Sequence, residues 1–196
     1  MRRFVLGSGS KSRLKLIEQS GFVPDLIEAP DVDETPLKKE KVLDYVKRVS
    51  KAKCEFLSKR YSDDVVLTAD TVMSHRGQIV RKIYTGDDIK DFLESCSGRS
   101  VKAITSLCVY DAEKISQKTI ETSLKYKHLN KSEIDEYVKS GIGIGKAGGV
   151  AIESFMECFV IRIIGSYSNI LGLPLYDVNN MLVSAGIKRK IQNSPL

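Results

Sequence analysis

The sequence predicts an α/β fold built on a mixed β-sheet flanked by helices, and three observations carry that prediction. Short apolar runs alternate along the chain with segments of helical period, as in folds where strands and helices share one sheet. Two strand-like segments follow each other closely near the middle, which adds an antiparallel pair to the sheet. The chain has 196 residues, 42% of them hydrophobic, which is enough apolar material for a real core.

Taken in order, RFVL (3–6) reads as a short buried strand, and residues 10–20 as a helix closed by Gly21. Residues 38–60 carry Val42, Leu43, Val46, Val49, Phe56 and Leu57 at helical spacing among many lysines, which predicts a long amphipathic helix. DVVLTADTVM (64–73) is a strand that runs into polar residues, and QIVRKI (78–83) returns after a turn at Arg76 and Gly77. GDDIKDFLESCSG (86–98) has acidic residues in its first turn and glycine after its end, so it reads as a helix. VKAITSLCVYD and KTIETSLKYKHL form the antiparallel pair, and Asn130 with Glu133 caps a helix through Val138. ECFVIRIIG is another strand, and Pro174 opens a last helix that ends near Gly186. Without a long linker, repeat or low-complexity segment, residues 1–196 read as a single domain.

Composition narrows the function. The 31 Lys and Arg against 25 Asp and Glu give a net charge of +6, which suits an anionic partner such as a nucleotide. Nucleic acid is disfavoured, because no recognised binding module is present and aromatic residues make up only 7%. The N-terminus has only a three-residue apolar run after its arginines, and no segment reaches about 18 continuous apolar residues. A cytoplasmic protein without a membrane span is expected. Cys54, Cys96, Cys108 and Cys158 are scattered and read as reduced and mostly packed. With only His75 and His128 beside them, there is neither zinc spacing nor support for a Ser-His-Asp hydrolase.

Three stretches could carry chemistry. In GSGSKSR (7–13), a Gly/Ser turn joins the first strand to a helix N-terminus, with Ser8 and Ser10 as donors and Arg13 able to fork onto two phosphate oxygens. The same residues are equally consistent with an ordinary turn and N-cap. GIGIGKAGG (141–149) fails as a dinucleotide motif because a helix precedes it. As a P-loop it fails too, because Ser140 replaces the first glycine and Ala147 the hydroxyl residue. It stays open between a loop that approaches an anion and a surface turn. LTADTVM places Asp70 and Thr71 at the end of an apolar strand, where a carboxylate can hold Mg²⁺ or orient a water, or else cap a turn. The acidic run DVDET (31–35) offers Glu34 as a second carboxylate.

Together these pieces resemble the Maf family of nucleoside-triphosphate pyrophosphatases. LGSGSKSR is similar to the family's leading signature at Ser8, Ser10 and Arg13. DVDET matches its acidic loop at Glu34, SKAK its helix lysine at Lys51, and ADTV its carboxylate at Asp70. RKIYTGDDIKDFLESCSGRS follows through Lys82 and Arg99, and YVKSGIGIGKAGGVAIE and IIGSYSNILGLPL supply two further blocks. The resemblance implies an elongated, two-lobed α/β fold with a cleft, and a homodimer. It also implies hydrolysis of a nucleoside triphosphate, with modified or non-standard ones as the expected substrates, to the monophosphate and pyrophosphate, with Mg²⁺ or Mn²⁺. Asp70 and Glu34 would hold the metal, and Asp70, Glu34 and Lys82 would be catalytic. Ser8, Ser10, Arg13, Lys51 and Lys146 would bind the substrate. Ser12, Thr71 and Glu153 fall at its specificity positions and are mixed. Thr71 matches the branch acting on dTTP and UTP, which carries Arg at position 12 and Gln at 153. Glu153 matches the branch acting on 7-methyl-GTP, which carries Trp where this chain has Ser12. Ile83 replaces a usual proline and Ile142 an often acidic residue. The alternative is a non-catalytic nucleotide-binding regulator linked to cell division.

Overall fold

The computed structural model describes residues 2–190. The first strand, β1 (Phe4–Gly7), is buried at every position and turns through Ser8 and Gly9 into α1 (Lys11–Gln19). Ser10 caps that helix, its Oγ accepting from the Arg13 N–H at 3.4 Å. Gly21, at φ +83°, then turns the chain back toward β2 (Leu26–Ile27), a two-residue strand that the sequence pattern was too short to reveal. The amphipathic helix α2 (Val42–Ser58) starts four residues later than its lysine-rich flank suggests, because residues 38–41 lie outside the buried stripe.

Three long strands form the middle of the sheet: β3 (Val65–His75), β5 (Ser100–Tyr110) and β6 (Ile115–Tyr126). Between β3 and β5 lie β4 (Gln78–Val80) and α3 (Gly86–Cys96), and after β6 comes α4 (Lys131–Ser140). The expected capping box is present at the start of α4, with Glu133 N–H donating to Asn130 Oδ1 and Asn130 N–H to Glu133 Oε2, both at 3.0 Å. With a last strand β7 (Val160–Ile164), the sheet order is β2-β1-β3-β5-β6-β7, with β4 on β3; β1 lies parallel to β2 and β3, and the other pairs are antiparallel. The edge strand β7 is shorter than expected, because residues 155–159 wind into a 3₁₀ turn capped by Ser154. A four-residue helix, α5 (Tyr167–Ile170), precedes α6 (Leu175–Ser184).

Two apolar clusters sit at opposite ends of the long strands. One gathers Val65 and Leu67 of β3 and Leu107 and Val109 of β5 with β1, α1 and α6. The other gathers Met73, Val101, Ala103, Leu124 and Tyr126 from the far ends of the same strands with α3 and α4. A third cluster packs Val42, Tyr45, Val46 and Val49 of α2 onto Val72 and Ile104. Cys54, Cys96 and Cys108 are buried thiols, and Cys158 is exposed.

Candidate functional site

The site begins with a gap along one edge of β3. β1 leaves that edge at the Gly7–Thr68 pair, and β4 joins it only at Met73–Val80. Residues 69–72 therefore have a strand partner on the β5 side alone. Asp70 and Thr71 are accordingly mid-strand rather than at its end, because the ladder to β5 runs unbroken from Val66 to Ser74. A cleft of about 510 Å³ opens beside this gap, a size suited to a small organic ligand. Ser8, Ser10, Ser12, Arg13, Glu34, Lys53, Thr71, Lys82, Lys146 and Glu153 line it.

Arg13 closes the gap. Its Nη1 donates to the Ala69 carbonyl at 2.9 Å and to Ser8 Oγ at 3.4 Å. Nε donates to the Gly172 carbonyl at 2.9 Å, and Nη2 to Thr71 Oγ1 at 3.0 Å. Four of its five N–H groups are thus engaged by the protein, so Arg13 does not offer the free fork that the motif suggested. It is a clamp joining α1, β3 and the segment before α6. None of its partners is a carboxylate. Burial pulls the guanidinium below its ordinary value, and Asp70 and Glu34 only partly oppose this. A half-buried cation whose hydrogen-bond partners are all neutral favours an anion in the cleft.

The two predicted carboxylates come together, through a lysine that the sequence reading missed. Lys53 Nζ lies 2.8 Å from Glu34 Oε1 and 2.9 Å from Asp70 Oδ1. Lys51 does not reach the site. It is exposed and pairs with Glu55 one turn on. Helical phase explains the difference, since the buried stripe Val42, Val46, Val49 continues at i+4 to Lys53 and leaves Lys51 on the opposite face. Tyr45 on the same stripe donates to the Glu34 carbonyl at 3.0 Å and fixes the acidic loop. Burial pushes the Glu34 carboxyl up, but the hydrogen bond and charge of Lys53, with Arg81 and Lys82, outweigh it and hold it below its ordinary range. Asp70 sits behind Lys53, and its Oδ2 is buried without a partner.

Lys82 and Lys146 face the cleft from a second pair of segments. Lys82 bridges Ala147, Gly145 N–H donates to the Ile83 carbonyl at 2.7 Å, and Ile83 N–H donates to the Lys146 carbonyl at 3.1 Å. The glycine-rich loop is therefore anchored, not a free surface turn. Gly143 allows its close fold, because a Cβ there would stand 2.5 Å from the Gly149 carbonyl. Lys146 Nζ pairs with Glu153 Oε1 at 2.6 Å, so a proposed phosphate contact and a proposed specificity residue hold each other. Thr71 bonds Arg13 and Thr105, and Ser12 lies open on the first turn of α1. Neither His75 nor His128 lines the cleft.

Comparisons with known proteins bear on the family and the fold. Residues 3–185 match the family described as Maf-like protein. The chain belongs to that family. It is 42% identical over 185 residues to a nucleoside triphosphate pyrophosphatase of Neorickettsia sennetsu, covering 94% of this chain and 88% of that one. It is 40% identical over 195 residues to a dTTP/UTP pyrophosphatase of Mesorhizobium japonicum, covering 96% and 94%. A solved HAM1 protein from Coxiella burnetii superposes with a TM-score of 0.53 at 15% identity, over 94% of this chain and all of that one, which supports the mixed α/β fold alone.

A divalent cation fits the carboxylate pair in its chemistry. Among the described residues no three His, Cys, Asp or Glu side chains gather into a cage. Glu34 and Asp70 do offer hard oxygen donors. Two carboxylates suit a cation such as Mg²⁺, which keeps water and substrate phosphates as its remaining ligands. The Lys53 ammonium already shows that positive charge is favoured between them. Among the described residues no helix is long and apolar enough to cross a membrane.

Proposed function

We propose that this chain hydrolyses nucleoside triphosphates to the monophosphate and pyrophosphate. The observation that carries the reading is the Glu34–Lys53–Asp70 bridge in a cleft that Arg13, Lys82 and Lys146 also line. A polyphosphate is the anion that such a set of cations is built to neutralise. The relatives named above act on nucleoside triphosphates, and their likeness to this chain supports the same reaction here.

Ser8, Ser10 and the first N–H groups of α1 would orient the phosphates, with Lys82 and Lys146 neutralising charge as it builds on them. Asp70, steered by Lys53, would take the proton of the attacking water. Glu34 and Asp70 would hold the divalent metal, Mg²⁺ or Mn²⁺, which adds electrostatic stabilisation of the phosphates. Ser12, Thr71 and Glu153 would set the base preference. A carboxylate at 153 accepts from the N–H edge of guanine, whereas Thr71 matches the pyrimidine branch. A homodimer in the cytoplasm completes the proposal.

Pyrophosphate release across a nucleotide panel, with Mg²⁺ or Mn²⁺ supplied after chelation, tests the reaction. Asp70→Asn is expected to lower kcat by at least about 100-fold, the low end of what general-base catalysis contributes. Undiminished turnover in that variant would remove Asp70 from the chemistry.

A further inference from the structure

Behind the cleft, α2 covers a row of polar side chains on the sheet. Asp70 of β3 is paired with Ser106 of β5, and Ser106 in turn with Thr119 of β6. Directly opposed residues project to the same face with their Cβ atoms about 5 Å apart, so a carboxylate and two hydroxyls stand side by side. Ser106 is fully buried. Ser50 Oγ, nearer to Ser106 Oγ at 2.9 Å than to the Lys47 carbonyl at 3.2 Å, donates to it. Gln117 Nε2 spends its two hydrogens on nearer oxygens, the Lys47 carbonyl at 2.7 Å and Ser50 Oγ at 3.0 Å, so the Ser106 hydrogen is left unspent. On one side of it Asp70 Oδ2 is buried without a partner, and on the other so is Thr119 Oγ1. A buried hydroxyl hydrogen beside an unsatisfied carboxylate oxygen is costly to leave unjoined.

We propose that Ser106 is a positioning residue for Asp70, its hydroxyl donating to Oδ2 across one bridging water. A bridging water needs polar partners on both sides and finds them in these two atoms. The hydrogen goes to Asp70 rather than Thr119 because a bond to an ionised acceptor is about twice as strong as one to a neutral hydroxyl. Ser106 is itself oriented from α2, since Ser50 lies three residues before Lys53 on that helix. One helix therefore governs both carboxylate oxygens: Lys53 grips Oδ1 directly and Ser50 reaches Oδ2 through Ser106. The inference rests on the reading of Asp70 as the reacting carboxylate.

Two measurements test it. In a high-resolution crystal structure, a water within hydrogen-bond distance of both Ser106 Oγ and Asp70 Oδ2 is expected. A Ser106 hydroxyl given to Thr119 instead overturns the proposal. In steady-state kinetics, Ser106→Ala should lower kcat about 10-fold with KM within about twofold, as for one lost bond to a charged group. Ser106→Thr should restore most of the loss, and Thr119→Val should leave kcat unaltered. Equal losses in the alanine and threonine variants, or a loss confined to KM or stability, would mean that Ser106 merely packs. If the wild-type protein turns over no nucleotide, the functional reading fails, and the crystallographic result still decides the contact.

Discussion

Lys53 and Lys51 show how much a two-residue displacement means on a helix. Both are lysines in one short motif, yet one is nearly buried between two carboxylates and the other pairs with Glu55 in solvent. Lys53→Met leaves Glu34 and Asp70 facing each other without a cation. It is expected to destabilise the protein by about 3 kcal/mol and to lower its melting temperature by roughly 10 °C, read by calorimetry. Lys51→Ala should change stability by less than about 0.5 kcal/mol and leave turnover alone. Glu153→Gln releases Lys146 from its ion pair and changes an acceptor into a mixed donor and acceptor. The nucleotide panel should then shift away from guanine-type bases toward pyrimidines. Ser8, Ser10, Arg13, Glu34 and Asp70 were legible as a set because short motifs name them. Lys53 was not, because only the phase of the buried stripe separates it from its neighbour.

Among the elements, the long strands and the capped helix α4 follow from short apolar runs and from the Asn130–Glu133 signal, both of which act within a few residues. The parts that escaped are those decided at a distance. β3 continues beyond Asp70 because β5 pairs with it there, and nothing near LTADTV announces that partner. The loop at 141–149 looked free because its anchors, Ile83 and Tyr137, lie outside it. Tyr137 holds it by donating to the Gly149 carbonyl at 2.7 Å. Ile83 contributes an N–H that a proline in its place would lack, and that N–H reaches the Lys146 carbonyl. Ile83→Pro is therefore expected to loosen the loop and raise KM for the triphosphate several-fold, with kcat less affected. An unchanged KM would show that this hydrogen bond does not hold Lys146.

For the whole molecule, acid is the weak direction. Asp25 is held below its ordinary range by the Phe4 N–H and Lys190, Asp64 by Arg3, and Glu133 by Lys127 and the Asn130 N–H. Glu34 is held low as well, against the effect of its burial. A carboxylate whose value is depressed on folding stabilises the fold at pH above its unfolded value, near 4, and that contribution is lost as pH falls through the folded value. Burial also holds the His75 imidazole low, so the melting temperature should begin to slip as pH falls through about 6.5 and fall steadily below about pH 4. The sheet has a further consequence. β3, β5 and β6 run without a break from one apolar cluster to the other, so no loop acts as a hinge between the two ends. Widening the gap beside Asp70 would mean bending three hydrogen-bonded strands at once, as one bends a beam. The cleft beside the gap thus has a stiff back wall, and that wall is already in place when a ligand arrives.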